Sequence, residues 1–345
     1  MSRILLATLA LLCAGSALAT TSALAEHAKP ATEKPAAPQS DEDEGPQPTA
    51  LTVGAMEMGD DQHVAVVSMS IEIAANRVAY SYGLKNAGTA ALSLAASVSM
   101  PSLAASNDDS ETWELPFDDA ENPVGLKISV GGENIETKPH ASVKALGLNH
   151  FADLKAAHAP LLPFGAATDK ALRELPPDVA ASFAQMGLMS PRDPSKSDEA
   201  PSAGWTLDVV REFQIKLPAN TVTPVKATFT PIKAEYPVDK GDEESLDELK
   251  DDYCISAKSL AALHARLKSR GSWRAIELSI DVDGPSGFLE MPAIALSVQK
   301  PRADAIVAFC GANEKSQGLE IVTGTVPEDN DNGELRIVIF SPADV

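Results

Sequence analysis

The chain reads as a mainly β protein, with sandwich-like antiparallel sheets, a small helical insertion and one helix in the C-terminal half, α+β by content. Three observations predict this. Runs that alternate apolar with polar or small residues recur on both sides of residues 140–190, the period that buries one face of a strand. Within 140–190 the apolar spacing lengthens to the helical one. Apolar residues make up 44% of the chain but aromatic ones only 5%, so the core must rest on Ala, Val, Leu and Ile.

The first element is a leader. Arg3 supplies a positive start, Ile4–Ala14 is an apolar run too short to span a bilayer, and Ala17-Leu18-Ala19 and Ala23-Leu24-Ala25 are small-residue cleavage sites, the pattern of a secretory signal peptide. Residues 1–25 are therefore expected to be removed after Ala19 or Ala25, leaving a periplasmic or secreted protein of about 320 residues. Cys13 leaves with the leader. Leu12 in front of it is not the small residue that a lipid-anchored cysteine normally follows. No other apolar run approaches the ~20 residues of a membrane-spanning helix, so the mature chain carries no expected transmembrane segment. Residues 26–50 hold five prolines and the acidic run Asp41–Glu44, and they read as a Pro-rich acidic linker.

Residues 51–345 are expected to form one composite β-rich domain. His63–Ile73 and Val78–Leu84 alternate and are joined by the polar turn Ala75-Asn76-Arg77. Leu92–Met100 is a third alternating run, stopped by Pro101. Gly125–Val130 and Asn134–Thr137 flank Gly131-Gly132, and paired glycines supply the positive φ of tight hairpin turns. A helical insertion is expected at 140–190. Asn149 caps a helix through Leu154, Thr168 or Asp169 caps one through Leu172, and Pro176-Pro177 opens one through Phe183 that closes at Gly187. Ser190–Gly204 reads as a surface loop.

Strands return at Trp205–Leu217 and Val222–Thr230. The stretch 239–252 is dense in acidic residues and reads as a solvated loop. A helix over Ser256–Ser269 places Leu260, Leu263 and Leu267 on one face. Strands follow at Trp273–Val282, Ile294–Val298, Ala305–Phe309, Leu319–Val326 and Leu335–Phe340, the last two forming a hairpin through Asn332-Gly333.

Charge excludes some functions. The chain carries 49 acidic against 28 basic residues, a net charge of −21, which repels nucleic acid and anionic lipid. With the leader gone, two cysteines remain, Cys254 and Cys310. An even count in an oxidising compartment reads as a disulfide, a closure stabilising by roughly 4 kcal/mol in the chain-entropy model. Two buried free thiols are the alternative. Metal ligation by the pair is disfavoured, because no further Cys or nearby His completes a set.

Motifs for chemistry are sparse. His140, His150 and His158, with Asp153 nearby, raise a zinc or copper site, but no tight i,i+4 histidine pair supports it, and solvated or cap-region histidines explain them. Asp329–Glu334 and Asp281–Gly284 suggest calcium, yet their glycines and glutamates miss the loop spacing, and hairpin turns suffice. Ser297 and Lys300 spell S-x-x-K, but in a strand they point to opposite faces. Trp113, Trp205 and Trp273 read as core anchors rather than a groove lining.

The stretch His63–Leu103 resembles the first β-region of the bacterial domain-of-unknown-function family 4424, with its strand, polar turn, Tyr-containing strand, Asn-led turn and strand ending in Met-Pro. The likeness continues at Gly125–Val130, Leu175–Met189, Trp205–Pro218, Tyr253-Cys254-Ile255 and Phe309-Cys310-Gly311. It implies an exported protein and supports pairing Cys254 with Cys310. It implies no catalytic residue, ligand or reaction. The expectation is therefore a non-enzymatic envelope binding or structural protein with no cofactor or metal. Its partner would be a protein or small molecule of the cell envelope, and its one structural disulfide Cys254–Cys310. The alternative is a periplasmic hydrolase or metal-dependent enzyme with an unrecognised site.

Overall fold

A computed structural model describes residues 51–59, 61–105, 115–190, 201–239, 243–270, 272–282, 292–326 and 333–343. The expected signal peptide, its cleavage sites, the Pro-rich linker and Trp113 lie outside these residues. Strands hold 48% of the structure and helices 17%, so the protein is mainly β. Strands β1–β18 and helices α1–α5 are numbered along the chain.

The first sheet runs β1 (Met56–Met58), β4 (Leu92–Ser99), β10 (Thr206–Leu217), β8 (Lys138–Ala145), β9 (Leu148–Asn149), with the short β5 (Leu103–Ala104) against the start of β10. The second runs β16 (Asn313–Gln317), β17 (Ile321–Val326), β14 (Ile294–Gln299), β2 (Val64–Ala74), β3 (Arg77–Asn86), β11 (Val222–Phe229), β6 (Lys127–Val130), β7 (Glu133–Ile135). The third runs β12 (Ala234–Asp239), β13 (Ser272–Asp281), β18 (Glu334–Pro342), β15 (Ile306–Cys310). Pairing is antiparallel except between β2 and β14, where Ser70–Ile73 lie parallel to Ala295–Val298.

All three sheets give one face to a single apolar core. Ile71 and Leu84 of the second sheet, Ile215 of the first and Ile337 of the third belong to it, all fully buried. Alternation along each strand decides which side chains enter it. In β18, Leu335, Ile337 and Ile339 enter this core, while Val338 and Phe340 enter a second one. That second core lies between the third sheet and helices α4 (Glu243–Asp252) and α5 (Ala257–Arg270), with Leu246, Leu263 and Trp273 at its centre. The third sheet is thus buried on both faces at its β15–β18 side, which is why Ile306–Phe309 and Ile337–Phe340 are continuous apolar runs.

Several local expectations change. The first residues of the expected helical insertion are strand: β8 and β9 occupy 138–149, and helices begin only with α1 (Phe151–Ala156), followed by α2 (Ala166–Glu174) and α3 (Pro177–Gln185). Pairing of β8 with β10 outweighs the helical texture there. Thr168 does not cap α2. Its N-cap is Gly165, and buried Thr168 donates its hydroxyl to the Leu162 carbonyl at 2.7 Å. The acidic stretch includes α4, a helix held by Leu246 and Leu249 in the second core. β17 and β18 form no hairpin, since one pairs within the second sheet and the other within the third. Trp205 and Trp273 are fully buried, and the Trp205 indole N–H donates to the Leu161 carbonyl at 2.8 Å, tying β10 to the helical segment.

Candidate functional site

The outer face of the first sheet carries a groove of about 670 Å³. Its floor follows from β4. That strand turns Leu94, Ala96 and Val98 into the core and leaves Ser93, Ala95, Ser97 and Ser99 outward. Small outward side chains make a trough wherever taller ones flank them. β1 and β10 supply these through cross-strand register: Ser97 lies opposite Glu57 on one side and Glu212 on the other. Glu212 in turn lies opposite Lys138 of β8. Glu57, Ser97, Glu212 and Lys138 therefore form one row across four strands, and Ala95 with Gln214 forms the next.

β8 begins at Lys138, so β10 continues beyond Glu212 without a neighbour on that side. The chain entering β8 brings Ile135 and Glu136 to the end of the groove. The same two residues line a second hollow of about 480 Å³, together with Asp119, Glu121 and Arg211. Arg211 sets this junction. Its guanidinium donates to the Thr137 hydroxyl at 2.7 Å, the Glu121 carbonyl at 2.9 Å and the Thr137 carbonyl at 3.3 Å. Such a fork fixes the approach to β8 against the 119–122 turn.

The groove charges are sparsely engaged. The Ser97 hydroxyl reaches Glu57 at 3.5 Å. Among the described residues the side chains of Glu136, Lys138 and Glu212 have no hydrogen-bond or ion-pair partner. Farther along the same face, Asp208 accepts from the Ser102 hydroxyl at 2.6 Å and pairs with Lys144 at 2.9 Å. Partial burial pushes its carboxyl up, but Ser102 and Lys144 outweigh that and hold it below the usual carboxylate range.

Cys254 and Cys310 are joined in a disulfide with Cα atoms 5.1 Å apart. Cys310 ends β15, the edge strand of the third sheet. Cys254 follows α4 with φ +51, the left-handed position that closes a helix, and the Ile255 N–H bonds back to the Lys250 carbonyl at 2.9 Å. Tyr253 and Ile255 on either side are buried in the second core. Beside the bridge, Tyr236 donates its hydroxyl to Glu277. Burial, then the hydrogen bond and charge of Glu277, push the Tyr236 hydroxyl far up, and burial and the same carboxylate do so for Tyr253.

Other residues singled out by sequence are scattered. His150 is buried and its Nδ1 lies 2.9 Å from Asp153, while its Nε2 is buried without a partner. His158 and His140 are exposed on other elements. Among the described residues no group of three or more His, Cys, Asp or Glu is placed to hold a metal. Asp281 and Glu334 are register partners at one end of the third sheet. The rest of both acidic runs, apart from Val282 and Gly333, lies outside the described residues. None of the groove residues was singled out from sequence. The signal was present in the strictly small outward positions of Leu92–Met100, but the partners that wall them come from strands far apart in the chain.

No curated protein matches the sequence. Among solved structures, one likeness is to a Legionella pneumophila subsp. pneumophila str. Philadelphia 1 protein whose crystal structure is titled a "putative nutrient binding protein". The two are 7% identical with a TM-score of 0.39, over 85% of this chain and 72% of that one, a likeness from which nothing is transferred. The family model described as "Domain of unknown function (DUF4424)" matches residues 47–320. The chain belongs to that family.

Proposed function

We propose that this is an exported, non-enzymatic binding protein of the cell envelope whose ligand site is the groove on the first sheet. The groove carries the reading: a trough of about 670 Å³, built by three paired strands and lined by Glu136, Lys138 and Glu212, whose side chains have no partner among the described residues. A volume of that size suits a small molecule, and rigid strands hold such a site better than loops. The disulfide supports the compartment, since such bonds persist in oxidising spaces. The leader read from sequence supports it too, with the mature chain starting after Ala19 or Ala25. Binding is favoured over hydrolysis because the two histidine–carboxylate pairs, His63 with Asp61 and His150 with Asp153, do not line the groove.

Two measurements test this. Terminal sequencing of protein recovered from a periplasmic fraction should return Thr20 or Glu26 as the first residue; recovery of the intact leader from the cytoplasm rejects export. A thermal-shift screen of small polar metabolites should find compounds that raise Tm in the natural protein and not in Ala95→Trp, which fills the trough floor. A screen in which every stabilising compound acts equally on Ala95→Trp rejects the groove. Stoichiometric zinc in the purified protein would favour the metal-enzyme alternative.

A further inference from the structure

We infer that the free half of β10 receives an extended peptide of a partner protein as an added strand. The inference goes beyond the groove reading and stands without it, because it rests on main-chain rather than side-chain groups. Pairing sets the direction of those groups along β10. The Met100 N–H donates to the Val209 carbonyl at 2.7 Å, so Val209 and every second residue from it turn their N–H and C=O groups to the β4 side. The alternate residues, Thr206 to Glu212, turn theirs to β8. Pairing with β8 stops where Lys138 lies opposite Glu212, while β10 runs on beside β4 to Leu217. The N–H and C=O groups of Gln214 and Lys216 therefore face the line of β8 beyond its end. Among the described residues no group bonds to them.

This edge lacks the guards that the sheet has elsewhere. On the outer side of β8, Pro139 has no N–H to offer, and the N–H and C=O groups of Val143 are taken by Asn149 and His150. Phe213–Leu217 has neither a proline nor a bulge, and a bare run of main chain is the template for strand addition. Antiparallel register, as in β8, then dictates the side chains of the guest. Residues opposite Gln214 and Lys216 bond to them and point to the outer face, as Lys138 does opposite Glu212. The one opposite Gln214 is diagonal to Glu212, at the end of β10 where the groove holds Glu57, Glu136 and Glu212 against Lys138, and it suits a base. The one opposite Lys216 suits an acid. Positions between them lie beside Phe213, Ile215 and Leu217, all buried in the core, and suit apolar side chains. Because the guest runs opposite to β10, its acid precedes its base.

The test is nuclear magnetic resonance titration of the isotope-labelled mature protein with capped five-residue peptides, at fixed ionic strength and up to millimolar peptide. Support is saturable binding of Val-Glu-Val-Lys-Val that shifts the Gln214 and Lys216 amide signals, at least tenfold tighter than the charge-exchanged Val-Lys-Val-Glu-Val. Methylating the main-chain nitrogens of the peptide's glutamate and lysine must abolish binding, and methylating that of its central valine must not. Gln214→Pro removes one donor facing the guest and none facing β4, so it must bind at least tenfold more weakly. If that variant lowers the melting temperature, the two methylated peptides decide. Absence of saturable binding, shifts confined to other amides, equal binding of the charge-exchanged pair or equal binding of the methylated pair overturns the assignment. Gln214 and Lys216 amides already protected from exchange in the free protein, with the protection lost on dilution, overturn it in favour of a second copy of this chain.

Discussion

Leu146 occupies the first position of the two-residue turn between β8 and β9 with φ +48, and Gly147 follows at φ +80. This is the geometry of the tight hairpin turns that favour Asn-Gly. A γ-branched side chain there bears a cost of about 1–2 kcal/mol, and Leu146 is 78% exposed, so burial offsets little of it. Its one evident support is Gly187, where a Cβ would come within 2.7 Å of the Leu146 side chain. Leu146→Asn should raise stability by about 0.5–1 kcal/mol, read as a higher denaturant midpoint at constant m-value. A lower midpoint would show that the Gly187 contact outweighs the strain. Asn86 is the opposite case. It is fully buried, donates to the Ala90 and Leu217 carbonyls at 3.0 Å each, and accepts from the Gly88 N–H at 2.8 Å. Asn86→Ala strands three backbone groups and should cost about 3 kcal/mol, measured by the same unfolding curves. Its role in a turn is legible from sequence. Its reach to Leu217, which links the second sheet to the first, is not, because nothing local encodes a partner so distant.

At the scale of elements, α4 and α5 form a layer over the third sheet that has its own core and one covalent tie. Removing the tie with Cys254→Ser and Cys310→Ser should lower stability by at most about 4 kcal/mol. The loss should be local. Amide exchange should accelerate in α4 and α5 while the β2–β3 hairpin keeps its protection, and uniform acceleration through both would refute a separate layer. Helix α5 was legible through its leucine spacing and Ser256, whose hydroxyl accepts from the Ser259 N–H at 3.1 Å. Helix α4 was not, because charge dominates the stretch and two leucines, Leu246 and Leu249, are all that the described residues show of its buried side. The β2–β3 hairpin was legible nearly residue for residue, because its alternation and its turn agree. β16 was missed. All five of its residues are exposed, so an edge strand of that kind leaves no apolar period to read.

For the molecule as a whole, the four tyrosines of the chain act together. Burial is the leading cause that raises the hydroxyls of Tyr80, Tyr82, Tyr236 and Tyr253 above their ordinary value of 10.0. A group whose folded pKa is raised contributes stability that is complete below the unfolded value and is lost as pH climbs past it. Stability should therefore be insensitive to these groups at neutral pH and fall steeply above pH of about 10. Tyrosinate absorbance should appear only together with loss of the far-ultraviolet circular dichroism signal. Smooth titration near pH 10 in a protein that keeps its native dichroism would show the hydroxyls to be accessible.

Fold class was legible at this scale from periodicity alone, whereas the allocation of strands to three sheets was not. Alternation states which face of a strand is buried, not which strand lies beside it, and β17 and β18 follow one another in sequence while lying in different sheets.

The parallel contact between β2 and β14 also sets an order in time. β2 is the first long strand made, and one of its two neighbours lies near residue 295, so its far edge stays open until almost the whole chain has emerged. Closure across such a separation is slow, and an open edge invites pairing with other chains. The interval before β14 docks is therefore the one in which the newly made second sheet is open to aggregation, and the docking step ends it.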